Sequence, residues 1–313
     1  MKKTIYWLIA TLLIPTATGW SQEEVEIKVQ QLSEHIYMLE GRGGNIGLSI
    51  GDDGVFMIDD QYAPLTPAIL DAIGKVTDQP VKFVLNTHWH GDHTGGNENL
   101  GKAGALIIAH DNVRSRMSTE QFRKLIGGRI PAATEAALPI VTFNDRISFF
   151  INEDEIQAFH VAPAHTDGDS MIYFPSANVL HMGDIFFNKR FPFIDIDIGG
   201  SVDGTIDAVK LALEITTEDT KIIPGHGPLA TRQDLSDYLE IMQTVRNGVA
   251  DLIAQGLTLE EVIAAQLTES MNEVWNWNFI NGDTLVSVIY ADLSGNQEPG
   301  ETPVEDSGDN HTE

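Results

Sequence analysis

Short runs rich in apolar and β-branched residues alternate with polar turn residues between residues 24 and 60. Such runs, bounded by turn residues, predict short β-strands. The four runs cover residues 25–30, 35–39, 46–50 and 55–58. Glycines separate them, which is typical of turns between neighbouring strands, so the pattern predicts an antiparallel start to the fold.

Helical spacing follows these runs and alternates with further strands. Residues 67–76 predict a helix, and the apolar run at residues 81–85 predicts a strand. A strand at residues 105–109 then precedes a predicted helix at residues 112–126. This succession is typical of a β-α-β arrangement.

The second half of the chain begins with strands and ends with helices. The predicted strands cover residues 147–151, 156–161, 170–174 and 179–182. Thr231 with Asp234 has the spacing of a helix-capping pair, and Thr258 with Glu261 has the same spacing. The whole order predicts an α/β protein with layers of helix, sheet, sheet and helix.

The chain is strongly acidic. Its 313 residues include 19 Lys and Arg against 46 Asp and Glu, a formal charge of -27. Such a charge repels the phosphate backbone, so nucleic acid is excluded as the expected partner and a small-molecule substrate is expected instead. There is no cysteine. Disulfides and thiolate ligands are therefore excluded, and any metal site must use histidine and carboxylate side chains, which suit zinc, iron or manganese.

The two ends of the chain predict segments outside the folded domain. Two lysines precede an apolar stretch at residues 5–14 and then small residues, the pattern of a secretory signal peptide at residues 1–21. That stretch is too short to span a bilayer, so we expect a periplasmic or secreted protein with no membrane attachment after cleavage. Residues 294–313 are acidic and almost free of apolar side chains, which predicts a disordered tail. The domain between them covers residues 22–293.

Four metal-binding side chains lie within six positions, directly after the predicted strand at residues 81–85. They are His88, His90, Asp92 and His93. Ligands so closely spaced on one loop converge on adjacent metal ions, and Gly91 is expected to permit the tight turn between them. We expect His88 and His90 to share one ion. Asp92 and His93 would serve a second, and distant residues must complete both sites.

Three further candidates lie where a predicted strand meets a loop. They are His165, Asp184 and His226. Glycine flanks His226 on both sides, which suggests that the backbone there closely approaches another part of the protein. Together these three side chains supply the ligands that the histidine-rich loop lacks.

The order of these motifs resembles that of the metallo-β-lactamase superfamily: His-x-His-x-Asp-His, then His, then Gly-Asp, then Pro-Gly-His-Gly. The resemblance covers the chain from about residue 25 to residue 293. It implies an αββα sandwich that holds two metal ions. The implied ligands are His88, His90 and His165 for one ion and Asp92, His93 and His226 for the other, with Asp184 bridging both.

The resemblance also implies a dinuclear zinc hydrolase in which a hydroxide shared by the two ions attacks an acyl carbon. Asp92 would hold that hydroxide in place and is the expected catalytic residue. The best-known lactamases carry cysteine at the position of Asp184, whereas glyoxalase-type enzymes have a carboxylate there. A lactone, an ester or a β-lactam-like amide is the expected substrate, because an exported enzyme meets such compounds.

Three alternatives stay open at this point. One is a thioester hydrolase of the glyoxalase II type, and another is a persulfide dioxygenase with a single iron ion. The third is not an enzyme but a metal-stabilised binding protein. A binding protein would have closed coordination, whereas a catalytic site keeps a position for water and substrate.

Several charged and aromatic residues could either bind the substrate or serve a structural role. Lys189 and Arg190 are rare positive charges that could hold a substrate carboxylate, although they could also be solvated. Trp275, Trp277 and Phe279 could line a substrate pocket, but packing in the core is the expected role of these rings.

Three carboxylates and four histidines complete the set of candidates. Asp59, Asp167 and Asp169 could orient metal-bound imidazoles or could serve turns and caps. The other histidines of the domain are expected to pack or hydrogen-bond near the sheets rather than bind metal. These are His35, His110, His160 and His181.

Overall fold

The computed structural model describes residues 25–123 and 128–295 of the chain. The predicted signal peptide lies outside the described residues, and so does the predicted acidic tail beyond residue 295. Within the described part, no helix combines the length and the apolar character that crossing a bilayer requires.

The strands of the described residues alternate with turns and helices. In chain order they are β1 (Lys28–Gln31), β2 (Ile36–Glu40), β3 (Ile46–Gly51), β4 (Gly54–Ile58), β5 (Val81–Leu85), β6 (Leu106–His110), β7 (Gln121–Arg123), β8 (Gly128–Ile130), β9 (Val141–Phe143), β10 (Arg146–Ile151), β11 (Asp154–His160), β12 (Ser170–Phe174), β13 (Val179–His181) and β14 (Lys221–Ile223).

Helices lie between β4 and β7, between β13 and β14, and after β14. In chain order they are α1 (Thr66–Gly74), α2 (Gly91–Thr94), α3 (Asn97–Lys102), α4 (Asp111–Met117), α5 (Val202–Ile215), α6 (Arg232–Ala254), α7 (Leu259–Ala264), α8 (Asn272–Trp275) and α9 (Gly282–Leu293). Single 3-10 turns lie at Ala63–Leu65, Glu135–Ala137, Gly183–Ile185 and Ile196–Ile198.

Two large sheets contain most of the strands. The first has the order β1-β2-β3-β4-β5-β6-β9, the second has the order β10-β11-β12-β13-β14, and β7 pairs with β8. The strands β1 to β4 are antiparallel neighbours, whereas β4, β5, β6 and β9 run parallel. In the second sheet β13 and β14 are parallel and the other pairs are antiparallel. The predicted antiparallel start and the β-α-β succession are therefore confirmed.

Side chains alternate between two cores along the buried strands. Ile58 of β4 packs between the sheets, where Ile172 of β12 belongs to the same cluster. Met57 points to the opposite face and packs in a cluster with Ile69 of α1. On the outer face of the second sheet, Leu180 shares a cluster with residues of α5, α6 and α9. The molecule is thus an α/β sandwich of four layers, αββα, as expected.

The predicted helix at residues 112–126 is wrong in its second half. The helix α4 ends at Met117, and β7 begins four residues later. The hydroxyl of Ser118 donates to the backbone oxygen of Ser115 at 2.9 Å. Such local side-chain bonds compete with continuation of a helix, and the chain forms the hairpin strands β7 and β8 instead. The last part of the predicted helix, at residues 124–126, lies outside the described residues.

Most other predicted elements are confirmed to within a few residues. The strand β5 matches its prediction at both ends, whereas β1 begins at Lys28, three residues later than predicted. Both predicted capping pairs form. Thr231 and Asp234 make a reciprocal capping box at the start of α6, and Thr258 and Glu261 make one at the start of α7.

Candidate metal centre

The histidine-rich loop follows β5 and runs directly into α2. His88 and His90 lie in the loop, His93 lies on α2, and all three are buried. The backbone N–H of His93 donates to the oxygen of His90 at 3.0 Å. The side chain of Asn86 donates to the oxygen of His93 at 3.2 Å. These bonds hold the loop against α2 and keep the ligand side chains at the end of β5.

Three loops of the second sheet bring the distant candidates to the same place. His165 lies between β11 and β12, Asp184 lies in the 3-10 turn after β13, and His226 follows β14. The backbone N–H of Gly225 donates to the oxygen of Gly183 at 2.7 Å, which joins the last two loops. The structure therefore brings all seven predicted ligands together, in two neighbouring groups.

The first group consists of His88, His90, His165 and Asp184, all buried. Nδ1 of His90 lies 3.1 Å from Nε2 of His88 and 2.8 Å from Nε2 of His165. Oδ2 of Asp184 lies 3.9 Å from Nε2 of His88 and 3.5 Å from Nε2 of His165. The four ligand atoms lie within 4.8 Å of one another. Four nitrogen and oxygen ligands are the number that a tetrahedral zinc site uses.

The second group consists of Asp92, His93 and His226. Oδ2 of Asp92 lies 3.2 Å from Nε2 of His226 and 3.6 Å from Nε2 of His93. The His93 side chain is fully buried, whereas that of Asp92 is 21% exposed. This group therefore opens toward solvent on the side of Asp92.

Asp184 connects the two groups through its two carboxylate oxygens. Oδ2 faces the first group, while Oδ1 lies 3.1 Å from Nε2 of His93 and 3.4 Å from Nε2 of His226. A carboxylate that presents one oxygen to each group has the geometry of a bridging ligand. This is the arrangement that the resemblance implied.

Two buried atoms of this centre lack a suitable partner among the described residues. Nε2 of His93 and Oδ1 of Asp184 make no hydrogen bond of good geometry, although they lie 3.1 Å apart. Buried polar atoms are nearly always satisfied, so such a pair is expected where a cation lies between the groups. Imidazole and carboxylate donors suit zinc, iron and manganese. The residues present therefore fit a pair of divalent metal ions.

Two glycines leave the space that the centre needs. A Cβ on Gly44 would lie 2.1 Å from Cε1 of His93, and one on Gly225 would lie 2.0 Å from Oδ1 of Asp184. The glycine before His226 therefore makes the close approach that the sequence suggested. Gly91 differs, because a Cβ there would meet no atom within 4 Å and its φ is not positive. The turn therefore does not depend on the glycine that was expected to permit it.

Hydrogen-bond partners outside the two groups fix the orientation of the imidazoles. Oδ2 of Asp59 lies 2.7 Å from Nδ1 of His93, and the same carboxylate accepts hydrogen bonds from Thr87. The backbone oxygen of Phe193 lies 2.6 Å from Nδ1 of His165. In each ring this acceptor selects the tautomer that leaves Nε2 free for a metal. Of the two roles open to Asp59, the structure shows the orienting one.

Asp195 orients His90, and sequence reasoning missed it. Its Oδ2 lies 2.9 Å from Nε2 of His90, which leaves Nδ1 of His90 for the first group. The two residues are 105 positions apart, and no motif surrounds Asp195. The available signal was the pair of carboxylates Asp195 and Asp197 within the otherwise apolar residues 191–198. Asp195 is fully buried there.

The two groups differ in their protonation. Burial lowers the pKa of His90 to about 4 despite its bond to Asp195, and burial also lowers the pKa of His88. Burial opposes a charge on His226 as well, but Asp184 and Asp92 raise its pKa to about 9. The first group is therefore rich in free nitrogen lone pairs, whereas a metal must displace protons from the second.

A cavity of about 830 Å³ lies beside both groups. Asp92, Asp184 and His226 form part of its wall. The aromatic side chains in the wall are Tyr62, Phe187, Phe193, Trp277 and Phe279, and the cationic ones are Arg42, Arg123 and Arg190. A small molecule in this cavity would meet the candidate metal ligands, apolar rings and positive charges together.

The structure separates the predicted pocket residues. The guanidinium of Arg190 lies 5.2 Å from the ring centroid of Trp277, and both residues line the cavity together with Phe279. Lys189 instead faces a carboxylate of α6 at 3.8 Å and does not belong to the wall that the described residues form. Trp275 packs in the core against Tyr238, as expected.

Several other candidates lie outside the two groups. The carboxylate of Asp167 pairs with Arg116, and that of Asp169 accepts hydrogen bonds from Thr166, so neither orients a ligand imidazole. The remaining histidines hydrogen-bond to backbone atoms or stack on one another, as expected. They are His35, His110, His160 and His181.

A protein-family match covers the residues of the candidate metal centre. The model of the metallo-beta-lactamase superfamily matches residues 39–226, more than half of the chain. The chain belongs to the metallo-β-lactamase superfamily. The matched stretch begins in β2 and ends at His226, so it contains all seven candidate ligands. It ends before α6, α7, α8 and α9.

Solved structures share the fold. A double mutant of the sec-alkyl sulfatase PisA1 matches with a TM-score of 0.65 at 19% identity, over 86% of this chain and 50% of that chain. The metallo-beta-lactamase from Pontibacter korlensis matches with a TM-score of 0.57 at 19% identity, over 70% and 99%. The DIM-1 metallo-beta-lactamase matches with 0.57 at 17% identity, over 71% and 99%. The chain thus spans about half the length of the alkyl sulfatase and nearly all of each lactamase.

Proposed function

We propose that this superfamily member is a zinc-dependent hydrolase that holds two ions and cleaves an acyl bond of a small molecule. The observation that carries the proposal is the carboxylate of Asp184, whose two oxygens face two separate groups of imidazoles beside an open cavity. A purely structural zinc site is closed by protein ligands, whereas a catalytic one keeps an open position. Asp92 and His226 reach the cavity wall, which favours the catalytic alternative.

The positions of the candidate ligands indicate the role of each one in the proposed reaction. The buried first group and the more exposed second group would each hold one ion, and Asp184 would bridge them. When bound, the ions would supply Lewis acidity and make water acidic enough to attack near neutral pH. The carboxylate of Asp92 lies at the cavity wall and would accept a hydrogen bond from the attacking water. Asp92 is therefore the proposed catalytic residue.

Arg190 is the proposed anchor for an anionic group of the substrate. Its guanidinium lines the cavity over Trp277 and makes no hydrogen bond or salt bridge among the described residues. Burial lowers the pKa of Arg190, although Glu40 of the same cavity wall opposes this shift, and an anion at this position would add a favourable interaction for a partly desolvated charge. The apolar rings of Trp277 and Phe279 would contact the rest of the substrate.

Lactones, esters and β-lactam-like amides are the proposed substrates. We propose that a signal peptide directs the chain to the periplasm or the medium, where such compounds occur and glutathione thioesters do not accumulate. Asp184 is a harder ligand than thiolate, so a departing amide nitrogen would be less well stabilised than an alkoxide. Esters and lactones should therefore react faster than lactams.

Metal content is the first test of this proposal. Elemental analysis of the purified chain should give about two zinc ions, because seven side chains exceed the needs of one tetrahedral site. A single iron ion that persists after expression in zinc-replete medium would instead support a dioxygenase.

A substrate panel is the second test. The values of kcat/KM would be compared for an acyl lactone, an aryl ester, a penicillin, a carbapenem and lactoylglutathione, with chelator and after return of zinc. The expected order places the lactone and ester first and the thioester last, with all turnover lost in chelator. A clear preference for lactoylglutathione would refute the substrate assignment, and two bound zinc ions without any turnover would support a binding protein.

A further inference from the structure

A cationic side chain from the hairpin of β7 and β8 reaches the metal centre. Arg123, the last residue of β7, is only 8% exposed and lines the cavity. Its Nε lies 2.7 Å from Oδ2 of Asp195. None of the seven candidate ligands lies in β7 or β8. The strand β7 thus places the side chain of Arg123 beside the candidate metal centre.

Asp195 connects Arg123 to two of the candidate ligands. The same Oδ2 that contacts Arg123 also lies 2.9 Å from Nε2 of His90. The backbone N–H of Asp195 donates to the oxygen of His165 at 2.8 Å. A change in the position of this carboxylate would therefore alter the contact that orients the His90 imidazole.

Aromatic rings enclose the guanidinium of Arg123. Its central carbon lies 5.1 Å from the ring centroid of Phe193 and 5.8 Å from that of Trp89. Stacked rings and a buried carboxylate offset the cost of desolvating an arginine, and its planar shape suits both contacts. Phe193 also provides the backbone oxygen that contacts His165. The packing of Arg123 and the orientation of two ligand imidazoles thus involve the same residues.

We propose that Arg123 is a positioning residue of the metal centre, which holds Asp195 in the orientation that directs Nδ1 of His90 to the first ion. This proposal rests on the proposed two-metal function. It assigns Arg123 a different role from Arg190, because Arg123 contacts the carboxylate of Asp195 at 2.7 Å, whereas Arg190 forms no such close salt bridge among the described residues and interacts only at longer range with Glu40. Arg123 is accordingly assigned to the metal centre rather than to a substrate anion.

The test compares zinc affinities of variants of the full chain, measured by competition with a chromophoric chelator. Arg123→Met removes the charge and approximately keeps the length of the side chain. It should weaken the zinc affinity of one of the two sites by about 10- to 100-fold. Arg123→Lys keeps the charge but lacks the planar fork, so its loss should be smaller. The matched control is Arg129→Met on β8 of the same hairpin, where the exposed Arg129 pairs with Glu120. This control should bind both ions as the wild type does.

A second readout separates positioning from general damage to the fold. In the cobalt-substituted protein, Arg123→Met should change the visible absorption of one site, since the ligand field depends on the orientation of His90. Arg123→Met and Asp195→Asn should also be non-additive in zinc affinity, because both act through His90. Circular dichroism identifies any variant that does not fold, and Arg123→Lys then provides the comparison.

Each result distinguishes the two proposals. Wild-type affinity for both ions and an unchanged cobalt spectrum in Arg123→Met would overturn the positioning role, as would additive losses with Asp195→Asn or a larger loss in Arg123→Lys than in Arg123→Met. These outcomes leave the two-metal proposal intact. A wild-type chain that binds no zinc would overturn both.

Discussion

Among single residues, Asp184 determines how the two groups are joined. Replacing Asp184 with Ala should weaken zinc binding at both sites by more than tenfold and remove most turnover, because each ion would lose an oxygen ligand. The fold should persist, since the loop is also held by backbone bonds such as that from Gly225 to Gly183. Elemental analysis and circular dichroism check this, with Asp167→Ala as the control carboxylate. Unchanged metal content in Asp184→Ala would contradict the bridging role.

Asp169 should give the stability of the protein a distinct pH dependence. Burial, partly offset by hydrogen bonds from Thr166, raises the pKa of Asp169 to about 7 from the ordinary 3.8. Between these values the folded chain holds a proton that the unfolded chain releases. The free energy of unfolding should therefore fall as pH rises through this window, by up to about 1.4 kcal/mol per pH unit from this group.

Replacing Asp169 with Asn tests this dependence, because the amide oxygen still accepts a hydrogen bond and does not titrate. Urea unfolding of the metal-free protein at about pH 5 and about pH 7.5 should show a smaller loss of stability in Asp169→Asn than in the wild type. The exposed Asp71→Asn on α1 is the control and should behave as the wild type does. Equal slopes in all three proteins would rule out the assigned role.

Predictability from sequence differs among residues of the centre. The ligands His88, His90 and His93 were predictable because they follow one strand within a few positions, so their spacing alone indicates convergence. Asp59 was a candidate because it ends a strand. Asp195 and Arg123 could not be predicted, since their contacts depend on how distant loops pack. Such contacts produce no motif or periodic pattern in the sequence.

At the scale of elements, the positions of strands were predicted more closely than the length of the helix at residues 112–126. The short apolar runs along β2 to β5, bounded by turn residues, identified those strands to within one residue at their ends. The strand β7 was predicted as part of a helix. Its residues Gln121 and Arg123 are buried by contacts with the rest of the molecule, and such tertiary contacts are not encoded in local propensity.

The loop after β14 closely approaches the turn after β13, so a larger side chain at Gly225 should disturb both loops. In Gly225→Ala the new Cβ would lie 2.0 Å from Oδ1 of Asp184 and 2.6 Å from the carbonyl carbon of Gly183. The two loops must then separate, so zinc binding at both sites should weaken by at least tenfold. Gly91→Ala is the matched control, because its Cβ meets no atom within 4 Å. Chelator competition measures both variants, and equal affinities would show that the loops tolerate the displacement.

For the whole molecule, the candidate ligands come from both sheets. The ligands of the histidine-rich loop follow β5 of the first sheet, whereas His165, Asp184 and His226 follow β11, β13 and β14 of the second. The core between the sheets consists of buried apolar side chains from both of them. Bound ions would add a second connection at one edge of this core, where each ion would have ligands from both sheets.

Metal removal should therefore destabilise the whole fold without abolishing it. Ligands that bind only the folded state stabilise it by mass action, about 2.7 kcal/mol for each site at a free zinc concentration 100 times the Kd. For a domain of this size that corresponds to a drop in Tm of roughly 5 to 10 °C per site after chelation. Calorimetry with and without chelator measures the drop, and readdition of zinc should reverse it. In Asp184→Ala the drop should be much smaller, because little metal remains to be removed. If the wild type loses both ions and keeps its Tm, the ions do not connect the two sheets.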